Sequence, residues 1–82
     1  MNFNLKPLVT EKAIVMIERD NILSFETEKN AKKDEIKKEV ETIFKVKVEK
    51  VRTRIHDNRK LMYVRLKKEF PAIDVATKLG II

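Results

Sequence analysis

Residues 50–67, Lys50-Val51-Arg52-Thr53-Arg54-Ile55-His56-Asp57-Asn58-Arg59-Lys60-Leu61-Met62-Tyr63-Val64-Arg65-Leu66-Lys67, decide how the rest of the chain must be arranged. They read as two strands around the turn His56-Asp57-Asn58-Arg59-Lys60, because side chains on a strand alternate between two faces. Val51, Thr53 and Ile55 on the outgoing strand share one face with Met62, Val64 and Leu66 on the returning one. Lys50, Arg52 and Arg54 share the other face with Leu61, Tyr63, Arg65 and Lys67. One side of this hairpin can be buried, and the other carries a row of cations with a tyrosine among them.

The row is a local concentration of charge. Residues 52–68 hold Arg52, Arg54, Arg59, Lys60, Arg65, Lys67 and Lys68 against Asp57, a net +6. The whole chain has 19 Lys and Arg against 13 Asp and Glu, also +6, so the remainder sums to zero. Clustered cations neutralise phosphates and release condensed counterions, which points to a polyanion. A solvated outer face that keeps a small domain soluble has the same charge. Tyr63 inside the stripe tips the balance to nucleic acid, because its ring can stack on a base or sugar.

Working upstream, Val46 and Val48 lead into the outgoing strand, yet they have the opposite parity to Val51, Thr53 and Ile55. Either the strand begins near Glu49 or a bulge shifts its phase. Before them, Ile36, Val40, Ile43 and Phe44 fall at i, i+4, i+7 and i+8, the apolar stripe of a helix from about Lys32 to Phe44. Lys32 and Lys33 at its start read first as a solvated helix face, with phosphate contact as the second use. Ile22 to Glu28 alternates as a strand, and Lys29-Asn30 closes it. Thr10 is a good N-cap for a short helix through Ala13, Ile14, Met16 and Ile17 to near Arg19, with Asp20-Asn21 as turn chemistry. The residues before Thr10 can add a short edge strand. Downstream, Phe70-Pro71 opens a last helix with Ile73, Ala76 and Leu79 as its buried stripe and Gly80 as its stop.

The order is therefore helix, strand, helix, strand, strand, helix. Strand 22–28, the long helix and strand 49–55 make a crossover unit, and strand 61–67 can insert between the two strands, antiparallel to both. The expected fold is α+β: a small split β-α-β (ferredoxin-like) sheet with helices packed on it. One domain over residues 1–82 is expected, with 43% hydrophobic residues sufficient for one modest core.

Composition also excludes several chemistries. The chain has no cysteine, so it builds no disulfide framework and no thiolate metal site. Its one histidine, His56, falls in a turn and lacks the partners of a nucleophile–base pair. Gly80 is the only glycine, so no glycine-rich phosphate loop is possible, which removes an acylphosphatase-like hydrolase. The same shortage disfavours an RNA-recognition motif with its Gly-aromatic strand. Neither catalysis, a cofactor nor a metal is expected. The sequence has no apolar run of the ~18 residues that a membrane helix needs, and its opening lacks an apolar leader. A cytoplasmic location is expected.

Four phrases, in order, resemble one family. Lys6-Pro7-Leu8-Val9-Thr10-Glu11-Lys12-Ala13 resembles an opening motif in which proline precedes a Ser/Thr-Glu-Lys box. Ala31-Lys32-Lys33-Asp34-Glu35-Ile36-Lys37, with Val40 and Ile43-Phe44, resembles its middle helix. Val46 to Thr53 is similar to the next strand, and Lys60-Leu61-Met62-Tyr63-Val64-Arg65-Leu66-Lys67 resembles the terminal strand signature. The family is large-subunit ribosomal protein L-twenty-three (universal uL-twenty-three). The short hairpin turn looks like its archaeal branch, since bacterial members carry a long basic loop there.

The resemblance implies a structural rRNA-binding protein at the rim of the polypeptide exit tunnel, beside ribosomal protein L-twenty-nine. It implies a docking site for signal recognition particle or a nascent-chain chaperone, with Glu11 as the docking acid. Carried onto this sequence, the rRNA contacts are Lys6, Thr10, Lys12, Arg52, Arg54, Lys60, Tyr63 and Arg65. The charge reading adds Lys32, Lys33, Arg59 and Lys67. Three positions depart from the family pattern: Lys32 stands where a threonine usually caps the helix, Leu61 interrupts a pair of basic residues, and the hairpin turn is short. A different class of function, a basic protein-interaction domain that binds an acidic partner, is the alternative.

Overall fold

The structure, a computed structural model, describes residues 5–80. Residues 1–4 and 81–82, which the expected domain includes, lie outside the described residues. Seven elements follow in order: β1 (Lys6–Pro7), α1 (Glu11–Asp20), β2 (Ile22–Thr27), α2 (Lys33–Phe44), β3 (Val48–His56), β4 (Arg59–Leu66) and α3 (Ala72–Lys78). The strands form a single sheet in the order β1-β2-β4-β3, with every neighbouring pair antiparallel. β4 is inserted between β2 and β3, as the hairpin's two faces require, and the fold is α+β and ferredoxin-like. The short edge strand before Thr10 is present as β1.

Local chemistry explains the element ends. Thr10 is extended, and its Oγ1 accepts a hydrogen bond from the Ala13 N–H at 3.0 Å, so α1 starts there. Asn21 ends α1 in the left-handed conformation, with φ 58°. α2 starts after Lys32, which offers no side-chain cap, and Asp34 and Glu35 in its first turn favour the positive end of the helix dipole instead. Asp57 and Asn58 both have positive φ, 51° and 62°, the signature of a type I′ turn. The expected five-residue turn therefore shrinks to two residues, and His56 and Arg59 pair with each other at the strand ends. The parity conflict in β3 resolves as a bulge between Val48 and Lys50. That bulge lets Val48 and Val51 both face the core. The Val48 N–H donates to Glu41 Oε2 at 2.9 Å, which ties this irregular start to α2.

The core lies between one face of the sheet and the helices. Leu23 and Phe25 of β2, Met62, Val64 and Leu66 of β4, and Val48 and Val51 of β3 supply the sheet side. Ile17, Ile36, Val40, Ala72, Val75 and Ala76 supply the helix side. Phe44 stacks on Phe25 with ring centroids 6.4 Å apart. α2 packs on β3, while α1 contacts β2 and α3. Two stripes differ from the periodicity. Ile43 is 53% exposed, although it shares the α2 stripe of the buried Ile36 and Val40 and stands one turn further toward the helix end. In α3, Ala72, Val75 and Ala76 are buried while Ile73 is exposed and Leu79 only partly covered. Two alanines let this short helix approach closely, and that approach selects its inward face.

Candidate nucleic-acid interface

The opposite face of the sheet is not covered by α2 or α3. Register assigns its residues: Lys6 pairs with Glu26, Glu26 with Leu61 and Leu61 with Arg54. In the next row Ser24 pairs with Tyr63 and Tyr63 with Arg52, followed by Ile22 with Arg65 and Arg65 with Lys50. Lys50, Arg52, Arg54 and Arg65 are all exposed. Cations thus flank Tyr63 across the strand, diagonally and along its own strand.

α1 closes one side of this face. Ala13 and Ile17 point inward, while Lys12 and Met16, also four residues apart, turn toward the sheet's open face. Between them and the strands is an open groove of about 380 Å³. Lys12, Met16, Ile22, Tyr63, Arg52 and Arg65 line it, with Lys50 and Arg54 at the β3 side. Met16, Ile22 and Tyr63 are half-buried, and the cations around them are exposed. The site is an apolar floor inside a cationic rim.

The ion pairs among the described residues are His56 with Asp57, at 3.3 Å, and Arg59 with Glu26, at 3.2 Å. Lys50, Arg52, Arg54 and Arg65 enter neither. Their charge stays available to an external anion, and the arrangement suits phosphate binding better than acid–base chemistry. No group of three or more His, Cys, Asp and Glu that could hold a metal occurs among the described residues.

The expected site residues divide into two sets. Lys6, Lys12, Arg52, Arg54, Arg59, Tyr63 and Arg65 come together on the open face, although Arg59 already binds Glu26. Lys60 does not join them. It pairs with Thr27 and Ile55 on the core-facing side, where its ammonium donates to the carbonyl oxygens of Ala31 and Lys29. Two-residue alternation already carries this signal, since Lys60 is two positions before Met62, but a long turn hides it. Lys32 and Lys33 stand at the start of α2, next to the loop that Lys60 binds. Lys67 sits beyond β4, where Glu49, Lys68 and Glu69 line the same shallow depression, apart from the groove around Tyr63. Thr10 uses its hydroxyl oxygen as the helix cap. Glu11 is exposed in the first turn of α1.

Periodicity assigns Met16 and Ile22 to the apolar skeleton and Lys50 to the basic row outside the expected contacts, whereas the structure places all three at the groove. The i, i+4 spacing of Lys12 and Met16 was the available clue to a second face on α1. Ser24, on the open face opposite Tyr63, is only 5% exposed, and its hydroxyl has no hydrogen-bond partner among the described residues.

Comparison with known proteins adds two findings. A family model described as Ribosomal protein L23 matches residues 2–74. Large ribosomal subunit protein uL23 of Picrophilus torridus is 42% identical over 81 residues, which span 99% of this chain and 99% of that protein.

Proposed function

The chain belongs to the ribosomal protein L23 family, and from that premise we propose that the open face of its sheet holds it against large-subunit rRNA. Membership makes it a structural constituent of the large ribosomal subunit, a part of the cytoplasmic translation machinery and not an enzyme. Among the described residues no helix is long and apolar enough to cross a membrane.

One observation carries the proposed interface: Lys50, Arg52, Arg54 and Arg65 surround Tyr63 on the face that α2 and α3 leave uncovered, and among the described residues none of them is paired with a carboxylate. Phosphate contacts from such cations fix position and orientation, while stacking and contacts to ribose hydroxyls recognise folded RNA. Lys6 and Lys12 extend the cationic surface from β1 and α1. Lys32, Lys33 and Lys67 belong to the proposal as peripheral contacts.

Family membership carries a finer placement as part of the same proposal. The protein sits at the rim of the polypeptide exit tunnel beside ribosomal protein L-twenty-nine, and signal recognition particle or a nascent-chain chaperone docks at Glu11. In support, Glu11, Val15 and Glu18, at i, i+4 and i+7, make an exposed stripe on α1 that is separate from the flank lining the groove. One small protein can then grip RNA on one surface and present another outward.

The test is the double variant Arg52→Glu with Arg65→Glu, titrated against large-subunit rRNA. Two reversals remove two contacts and add two repulsions, so affinity should fall on the order of a hundredfold or more. Both side chains are exposed, so the circular dichroism spectrum and Tm should stay unchanged. Unaltered affinity in a folded double variant rejects this face as the site.

A further inference from the structure

The groove has a feature that phosphate binding alone does not use. A duplex lying on the cations would touch their charged ends and leave the half-buried floor empty. Tyr63 forms the centre of that floor, with Arg52 directly across the strand pair and Lys12 and Met16 of α1 on the other side. Among the described residues the aromatic ring pair is Phe25 with Phe44, so the Tyr63 ring stacks on no other aromatic. The groove's volume of about 380 Å³ falls at the lower end of the ~300–1,000 Å³ typical of small-ligand clefts. That volume suits a single nucleotide and is too small for a base pair with both backbones.

We propose that the groove takes one unpaired ribonucleotide extruded from an RNA helix. Its base stacks on Tyr63 between Met16 and Ile22, and its flanking phosphates are held by Arg52, Arg65 and Lys12. The inference rests on the rRNA-binding reading and specifies its ligand. Stacking rewards an exposed π-face, and only an unpaired or bulged nucleotide offers one at little unstacking cost. The cations around the floor match the phosphates on either side of such a base. Stacking is tolerant of base identity, so the groove selects the bulge rather than its sequence.

The probes are a short, fully paired RNA duplex and the same duplex with a single bulged ribonucleotide, a fluorescent adenine analogue. The wild-type chain should bind the bulged duplex about tenfold more tightly and quench the analogue as it stacks. Tyr63→Phe should keep both effects. Tyr63→Ala should lose the preference and the quenching. An unchanged circular dichroism spectrum and Tm for Tyr63→Ala guard against simple misfolding, and the retention of both effects in Tyr63→Phe assigns the loss to the ring. Equal wild-type affinity for the two duplexes, abolished in both cases by Arg52→Glu with Arg65→Glu, overturns the single-nucleotide inference and leaves the rRNA-binding face standing. Failure of the wild-type chain to bind either duplex at low salt overturns both.

Discussion

At the residue scale, Asn21 does more than end a helix. Its Nδ2 donates to the carbonyl oxygens of Leu66, Lys67 and Phe70 at 3.1, 3.3 and 3.2 Å. Its Oδ1 accepts from the Ala72 N–H at 2.6 Å, and its backbone carbonyl accepts from the Leu66 N–H. One amide thereby joins the end of α1, the end of β4 and the start of α3. Asn21→Gly keeps the left-handed backbone accessible and removes the side chain, and it should cost about 2–4 kcal/mol in urea unfolding. Asn21→Asp keeps the acceptor but cannot donate to three carbonyls, so it should cost a similar amount at neutral pH. Ser24 gives the opposite expectation. Its buried hydroxyl has no partner among the described residues, so Ser24→Ala should be neutral or stabilising by up to about 1 kcal/mol, seen as a Tm that does not fall. Neither role was legible in the sequence. Asp20-Asn21 announces a turn, but local patterning is silent on carbonyls 45–49 residues away.

At the scale of elements, the hairpin was legible because its alternation is strict from Lys50 to Arg54 and from Leu61 to Leu66. The polar run from His56 to Lys60 concealed how far the strands continue, and with it the inward position of Lys60. Ile55 shows the result: it lies on the core-facing side but is 72% exposed, because the hairpin extends beyond the helices that would cover it. Helix periodicity identified α2's central residues, but the exposure of Ile43 on the same stripe depends on what packs against the last turn, a tertiary fact. The two-residue turn carries its own prediction. Both central residues are left-handed without being glycine, and position 58 is where glycine is most favoured in such a turn. Asn58→Gly should raise stability by about 0.5–1 kcal/mol, roughly 4–8 °C in Tm for each 1 kcal/mol, while Asn58→Val should lower it. Equal Tm values for these two variants would mean that the turn does not require positive φ.

At the scale of the molecule, one sheet divides the chain's chemistry between its sides. The core side carries the apolar register partners, such as Leu23 with Val64, Phe25 with Met62 and Val51 with Val64. The open side carries the cations at alternate positions of the same strands. Stability and RNA binding therefore depend on different residues of the same elements, and salt should separate them. If about five of the open-face cations touch phosphates, the logarithm of affinity should fall against the logarithm of salt with a slope near −4.5 for duplex RNA-like polyanions, several hundred-fold between 50 and 200 mM. Unfolding should respond little over that range, because apolar burial is not screened and the ion pairs among the described residues are exposed surface pairs. Arg54→Gln removes one open-face cation and should make the slope shallower by about one contact, while Lys67→Gln, outside the groove around Tyr63, should change it less. Equal changes from the two variants would mean that the positive field acts as a diffuse whole, and that the grouping of cations around Tyr63 does not define the footprint.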